Sequence, residues 1–173
     1  MRDAGHELTL HSIWGGELEF EGQPVRRMHL TELLKLFVEL PYWLVRKPAA
    51  LREIFEKLWD KGPPSLLNVA EVMLGLGYGI IKARQFAPEQ PHLLHAVWAT
   101  MPSTAALVLH QLTGIPFSMG AHAYDVFRDG GDWLLPEKLK AARLIHTTTR
   151  ATQRALLFHG AAPLRLVLIR RGL

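Results

Sequence analysis

The sequence predicts an α/β protein in which a Rossmann-like parallel sheet carries helices on both faces. From Pro91 onward, short apolar runs of strand length alternate with longer runs of helical spacing. Single turn-forming residues such as Gly114 and Gly160 separate the runs. This alternation is typical of parallel strands joined by right-handed helical crossovers. A length of 173 residues suits one domain, so we assign residues 1–173 to a single unit.

The amino-terminal half contains two strand candidates and then a helical block. Residues 7–12 alternate and stop at a glycine pair, and residues 24–28 form a weaker strand candidate. Residues 30–44 have helical spacing, and we expect Pro41 to kink or end that helix. Two further helices are expected, from Pro48 to Gly62 and from Ser65 to about residue 85. Together they form a helical insertion at about 30–90.

The carboxy-terminal half predicts four strands and three helices in alternation. The strands are expected at 93–97, 117–121, 144–148 and 164–169, and the helices at 102–113, 133–142 and 150–159. This arrangement places loops at the carboxyl ends of parallel strands, the edge at which open α/β sheets bind ligands.

Composition excludes several classes of protein. Cysteine is absent, which rules out disulfides and thiolate metal sites and fits a reducing cytosol. Lys plus Arg exceed Asp plus Glu by only 20 to 16, and no basic–aromatic pattern indicates nucleic acid. The longest apolar stretch, at 66–81, is interrupted by polar residues and glycines and is too short to span a bilayer. We expect no secretory signal and a cytoplasmic location.

The loop predicted after the strand at 117–121 holds the best catalytic candidates. The sequence AHAYDVF at 121–127 places His122 just past a strand, where it can exchange a proton near neutral pH. Asp125 lies three residues further on and could orient His122 or a bound hydroxyl. The alternative is that both side chains only satisfy local backbone groups.

Two other patterns favour structure over chemistry. His92 and His95 are expected on opposite faces of a strand, and His110 belongs to a helix, so we expect no metal site. The glycines of GLGYG at 75–79 follow a helical run rather than a strand. That context indicates a closely packed helix and not a dinucleotide loop.

Residues 30–47 allow two interpretations. Their apolar stripe, with Tyr42, Trp43, Arg46 and Lys47, could lie in a membrane interface at the inner face of the membrane. The same stripe could instead face the protein core as in any amphipathic helix.

Four stretches, taken in order, resemble the amino-terminal domain of retaining glycosyltransferases of the large family-four group, which have the GT-B fold. They are RDAGHELTLHS at 2–12, HAVWATMPSTAALVLHQLTGIPFSMGAHAYDVF at 95–127, KLKAARLIHTTTRATQRALL at 138–157 and LVLIRRGL at 166–173. In such enzymes the amino-terminal domain holds the acceptor and the carboxy-terminal domain holds the nucleotide-sugar donor. The resemblance therefore implies transfer of a sugar to an acceptor hydroxyl, with no metal or other cofactor.

The resemblance also implies roles for particular residues. His122 takes the place of the histidine that reaches the donor sugar and the reacting centre, with Asp125 as its positioning partner. The family's HAHF-like strand end matches His95 to Trp98, with Val97 where the family has a second histidine. The TISE-like helix start matches residues 147–150 without its acidic residue. The implied acceptor-binding residues are His95, Trp98, Thr100, Ser103 and Thr149.

The resemblance further implies that the chain lacks parts of the family's enzyme. The family begins with a strand and a glycine-containing loop before the RDAGHE-like segment, and it continues past RRGL into the donor domain with its paired glutamates. We therefore expect a transferase fragment that is inactive alone, with a sugar or lipid-linked acceptor as partner. The alternatives are a non-catalytic carbohydrate- or partner-binding module and a metal-independent hydrolase that uses His122.

Overall fold

A computed structural model describes residues 5–170 and has the predicted fold class. Four parallel strands form one sheet in the order β4-β5-β6-β7, with helices packed against it. These strands are β4 (Leu94–Ala96), β5 (Phe117–Gly120), β6 (Leu144–Thr147) and β7 (Leu166–Leu168). The expectation of a Rossmann-like α/β fold is therefore confirmed. The first residues of the RDAGHELTLHS stretch and the last of LVLIRRGL lie outside the described range.

The described range contains seven α-helices, of which three precede β4 in the chain. They are α1 (Leu36–Arg46), α2 (Pro48–Lys61), α3 (Leu66–Glu89), α4 (Met101–Thr113), α5 (Ala123–Phe127), α6 (Leu135–Ala141) and α7 (Arg150–Phe158). Apolar side chains from these helices and from the sheet join in one continuous core, which reaches from Ile13 to Leu166. Helices α1 to α3 correspond to the block expected at about 30–90.

A second, three-stranded sheet lies near the amino terminus. Strand β1 (Leu10–Ser12) runs parallel to β3 (Gln23–Arg27), and β2 (Glu19–Phe20) pairs with β3 in the antiparallel sense. Strand β2 was not predicted from the sequence. The turn between β2 and β3 uses positive φ at Glu21 and Gly22, +47° and +71°, the geometry of a tight hairpin.

The glycines of GLGYG lie inside α3, as expected for a closely packed helix. A Cβ at Gly75 would be 2.6 Å from the Met101 carbonyl oxygen, and one at Gly79 would be 2.6 Å from Val108 Cβ. Real Cβ atoms do not approach this closely, so only glycine allows α3 and α4 to meet along this line. The seam fixes α4 and the loop that leads into it.

Helix α3 is long and apolar enough to cross a membrane by length and composition. About half of its most apolar stretch, 56%, is buried inside the protein. Its Gly75 and Gly79 pack against α4, and its Tyr78 hydroxyl lies 2.9 Å from His11 Nδ1 of β1. These contacts are those of a core helix.

The expectations for residues 30–44 and for the loop after β5 were partly wrong. Residues Leu30–Lys35 form a 3₁₀ helix, and α1 then continues through Pro41 to Arg46 without ending there. Residues 123–127 were expected in a loop but form α5, because the Asp125 carboxylate accepts the backbone N–H of His122 and caps the first turn.

Candidate functional site

Three histidines and a tryptophan meet at and beside the carboxyl ends of β4, β5 and β6. The ring of His122 lies 5.2 Å from the Trp98 ring and 5.7 Å from the His146 ring, measured between centroids. His146 in turn stacks on His95 at 5.5 Å with an angle of 16° between the planes. The structure thus brings together His95, Trp98 and His122 of the predicted set and adds His146, which the sequence analysis did not single out.

The strand register explains how His146 reaches this position. His95 pairs with Ser118, and Gly120 pairs with His146, so these four residues face the same side of the sheet. A Cβ at Gly120 would be 3.0 Å from the His146 ring and 2.5 Å from the Val97 carbonyl oxygen. Glycine at 120 therefore makes the room in which the His146 ring lies.

The surroundings of His95 and His146 favour neutral imidazoles. Burial lowers the pKa of His146, and the nearby imidazoles of His95 and His122 lower it further when they are charged. Burial also lowers the pKa of His95, whose Nδ1 lies 2.8 Å from the Ser118 hydroxyl. A neutral imidazole has one nitrogen that donates and one that accepts, which suits hydroxyl-bearing ligands.

Asp125 holds two loops together through their backbone. Its Oδ2 accepts the N–H of Ala99, in the loop after β4, and the N–H of His122, each at 3.1 Å. Burial raises the pKa of this carboxyl, and the two amide donors oppose that rise. Asp125 therefore positions His122 through the main chain, as a capping residue does.

A buried ion pair fixes the same loop from the other side. Lys138 of α6 is fully buried and donates to the carbonyl oxygens of Ala99 and Thr100 at 2.9 and 3.0 Å. Its third partner is the carboxylate of Asp132, which is also buried. Burial lowers the pKa of Lys138, and Asp132 opposes the change. This ion pair was not predicted from the sequence.

The other residues that the resemblance implies for binding the sugar acceptor make hydrogen bonds within the protein. The Ser103 hydroxyl is fully buried and donates to the Trp98 carbonyl oxygen at 2.6 Å. The carbonyl oxygen of Thr100 accepts from Lys138 and from the Thr104 hydroxyl. Thr149 caps α7 by accepting the N–H of Thr152 at 3.1 Å. Their roles toward a sugar acceptor stay predictions. Of the whole predicted set, His95, Trp98 and Thr149 are exposed and His122 is half-buried.

The arrangement offers hydrogen-bonding groups and an aromatic surface rather than a metal site. Within residues 5–170, no group of three or more His, Asp or Glu side chains is placed to hold a metal ion. His92 lies before β4, not within it, and His110 of α4 bonds the Ile115 carbonyl oxygen. The chain matches no protein-family model, no curated protein and no solved structure.

Proposed function

We propose that this chain is the acceptor-side domain of a retaining glycosyltransferase and binds a saccharide at the carboxyl edge of its parallel sheet. The supporting observation is the meeting of Trp98, His122 and His146 at the ends of three adjacent strands. An exposed indole offers an apolar face for the C–H side of a sugar ring, and imidazoles beside it offer hydrogen bonds to its hydroxyls. This proposal includes a cytoplasmic location, which suits a chain without cysteine.

In this proposal His122 hydrogen-bonds the donor sugar and stabilises charge that develops during transfer. Asp125 and Lys138 keep the loops rigid, so that the imidazole is held in place before substrate arrives. A separate donor-binding domain would hold the nucleotide sugar, with no metal or other cofactor. Catalysis needs donor and acceptor in attack geometry, and we therefore expect no turnover of uridine or guanosine diphosphate sugars by this chain alone.

The second candidate is a non-catalytic carbohydrate-binding module. It is favoured by the state of Asp125, a carboxylate at this site that is 2% exposed and already bonded to two backbone amides. Such a carboxylate is poorly placed to act as an acid or base on a substrate. A module of this kind would bind saccharides through Trp98 with no dependence on a donor.

A saccharide titration tests the binding site that both candidates share. Nuclear magnetic resonance of the histidine ring protons, recorded with a panel of mono- and oligosaccharides, should show shifts at His122 and His146. Trp98→Ala should weaken binding by about tenfold, the upper part of what one aromatic contact contributes. Trp59→Ala is the matched control, since Trp59 on α2 is more exposed than Trp98 and lies outside the site.

Absence of any saccharide-dependent shift, or equal weakening by the Trp59 variant, would contradict the proposed site. Activity separates the two candidates. In a complete enzyme that includes a donor domain, His122→Ala should lower turnover by about 10²-fold, the usual scale for an oriented acid–base or polar group. Saccharide binding without any transfer in that complete protein would favour the module.

A further inference from the structure

Helix α1 is apolar on two opposite sides, although folding uses only one of them. Its inner side places Trp43 in the core, with Leu36 and Leu40 packed against it. Its outer side, continued from the 3₁₀ helix before it, carries exposed Leu34, Phe37, Val38, Leu44 and Val45. These positions recur at the spacing of one helical face. Both Phe37 and Val45 are 82% exposed, far more than a packed side chain.

The charges around this outer face are unevenly paired. Glu39 is neutralised by Arg84 at 3.2 Å, and Lys35 is paired with Glu32 at 2.9 Å. In the described part of the chain, the ion pairs include neither Arg46 nor Lys47, which end the helix. The Arg46 guanidinium lies 5.5 Å from the centre of the Tyr42 ring. An apolar stripe therefore ends beside two cations that are free to meet anionic groups.

We propose that the outer face of α1, together with Arg46 and Lys47, docks the protein on the surface of an anionic lipid bilayer. A helix that lies in the bilayer interface needs large apolar side chains on one side and basic residues at its flanks. The stripe is the exposed side of α1, and a deformable lipid surface accommodates such a side without a preformed groove. Two unpaired cations fit the negative potential of that surface. This inference is independent of the proposed sugar transfer.

Vesicle co-sedimentation of the whole chain tests the docking surface. The probes are vesicles of phosphatidylcholine alone and vesicles that also contain phosphatidylglycerol. We expect the chain to sediment with the anionic vesicles and to be released by added salt, which screens the cations. Phe37→Asp combined with Val45→Asp should lower the partition coefficient by more than about tenfold, because two large apolar side chains no longer enter the interface.

The charge variant tests the second part of the surface and does not touch the core. Arg46→Glu combined with Lys47→Glu should lower binding to anionic vesicles by more than about tenfold, since each lost cation is worth about fivefold. Both residues are exposed, so this variant should fold even if the apolar variant does not. Circular dichroism and thermal melting of each variant check the fold.

Matched controls place the same chemical changes elsewhere. Leu164→Asp alters a side chain that is 99% exposed, and Arg143→Glu with Arg154→Glu makes the same change in net charge as the Arg46 and Lys47 variant. If the outer face of α1 is the membrane-docking surface, neither control should change vesicle binding by more than about twofold. No sedimentation of the unaltered chain, or equal losses in the control variants, would overturn the proposal. The proposal is also overturned if the unaltered chain self-associates without binding lipid and the α1 variants lose that self-association. In that case the outer face of α1 is a chain–chain interface.

Discussion

One methyl group at Gly79 should force α3 away from α4. The Cβ of Gly79→Ala would lie 2.6 Å from Val108 Cβ and 3.0 Å from the Ala105 carbonyl oxygen, and both atoms belong to the rigid part of α4. Relief requires the helix to move, which costs about 1–3 kcal/mol in overpacked cores. The higher helix propensity of alanine returns about 1 kcal/mol. We expect a net loss of up to about 2 kcal/mol in the free energy of unfolding.

Gly77 supplies a control two residues away in the same helix. A Cβ there would meet only the end of the Leu33 side chain, at 3.1 Å, and the Leu36 side chain at 3.5 Å. These flexible groups can move aside, so Gly77→Ala should keep most of the propensity gain of about 1 kcal/mol. The two variants share the propensity gain, so they should differ by the overpacking cost of about 1–3 kcal/mol.

Urea denaturation followed by circular dichroism measures this difference. The transition midpoint should fall for Gly79→Ala and stay level or rise for Gly77→Ala, with similar slopes, since the surface exposed on unfolding is nearly the same. Helix α4 begins directly after the loop that carries Trp98, and the Trp98 ring contacts the His122 ring. A shift of α4 in Gly79→Ala should therefore also broaden the ring-proton signals of His122. Equal midpoints for the two variants would refute the reasoning that the α3–α4 seam requires glycine.

Two further predictions concern the buried charges and the histidines. Lys138→Met should lower the free energy of unfolding by about 3–5 kcal/mol, because Asp132 stays buried without its cation. The double variant Lys138→Met with Asp132→Asn should recover part of this loss in the same urea assay. An unchanged midpoint in the single variant would contradict this prediction. The pKa of His146 is lowered from 6.5, so the unfolded chain takes up this proton first, and stability should fall as pH drops below about 6.5. His146→Asn should flatten that fall in a series of urea titrations across pH, and an unchanged slope would show that His146 does not titrate as described.

The alternating half of the fold was predictable because its strands are short apolar runs bounded by proline or glycine. The strands expected at 93–97 and 117–121 correspond to β4 and β5 with only one or two residues lost at their ends. The expected helix end at Pro41 is wrong, because a proline removes only one helical hydrogen bond, and α1 continues to Arg46 with Trp43 packed in the core. Strand β2 has only two residues, too few to show a period.

The candidate site was predictable only in part because a sequence shows strands but not their register. The pattern alone placed His122 just past a strand, and Trp98 was a candidate only through the family resemblance. His146 reaches them because it pairs with Gly120 across the sheet, a relation between residues that are distant in the chain. Lys138 was overlooked because a lysine on a helix normally faces solvent. Its ammonium group can be buried because the backbone carbonyl oxygens of Ala99 and Thr100, in the loop before α4, accept its hydrogen bonds.

The order of β4 to β7 in the sheet is also their order in the chain. Each strand therefore pairs with the strand that precedes it in the chain, so the loops that close during folding stay short. As the chain leaves the ribosome, the sheet can grow by one strand and one helix at a time, with β4 and the α3–α4 seam already formed. At each stage the outermost strand exposes unpaired backbone groups, and before the next strand or helix covers them this edge is open to wrong pairing with another chain.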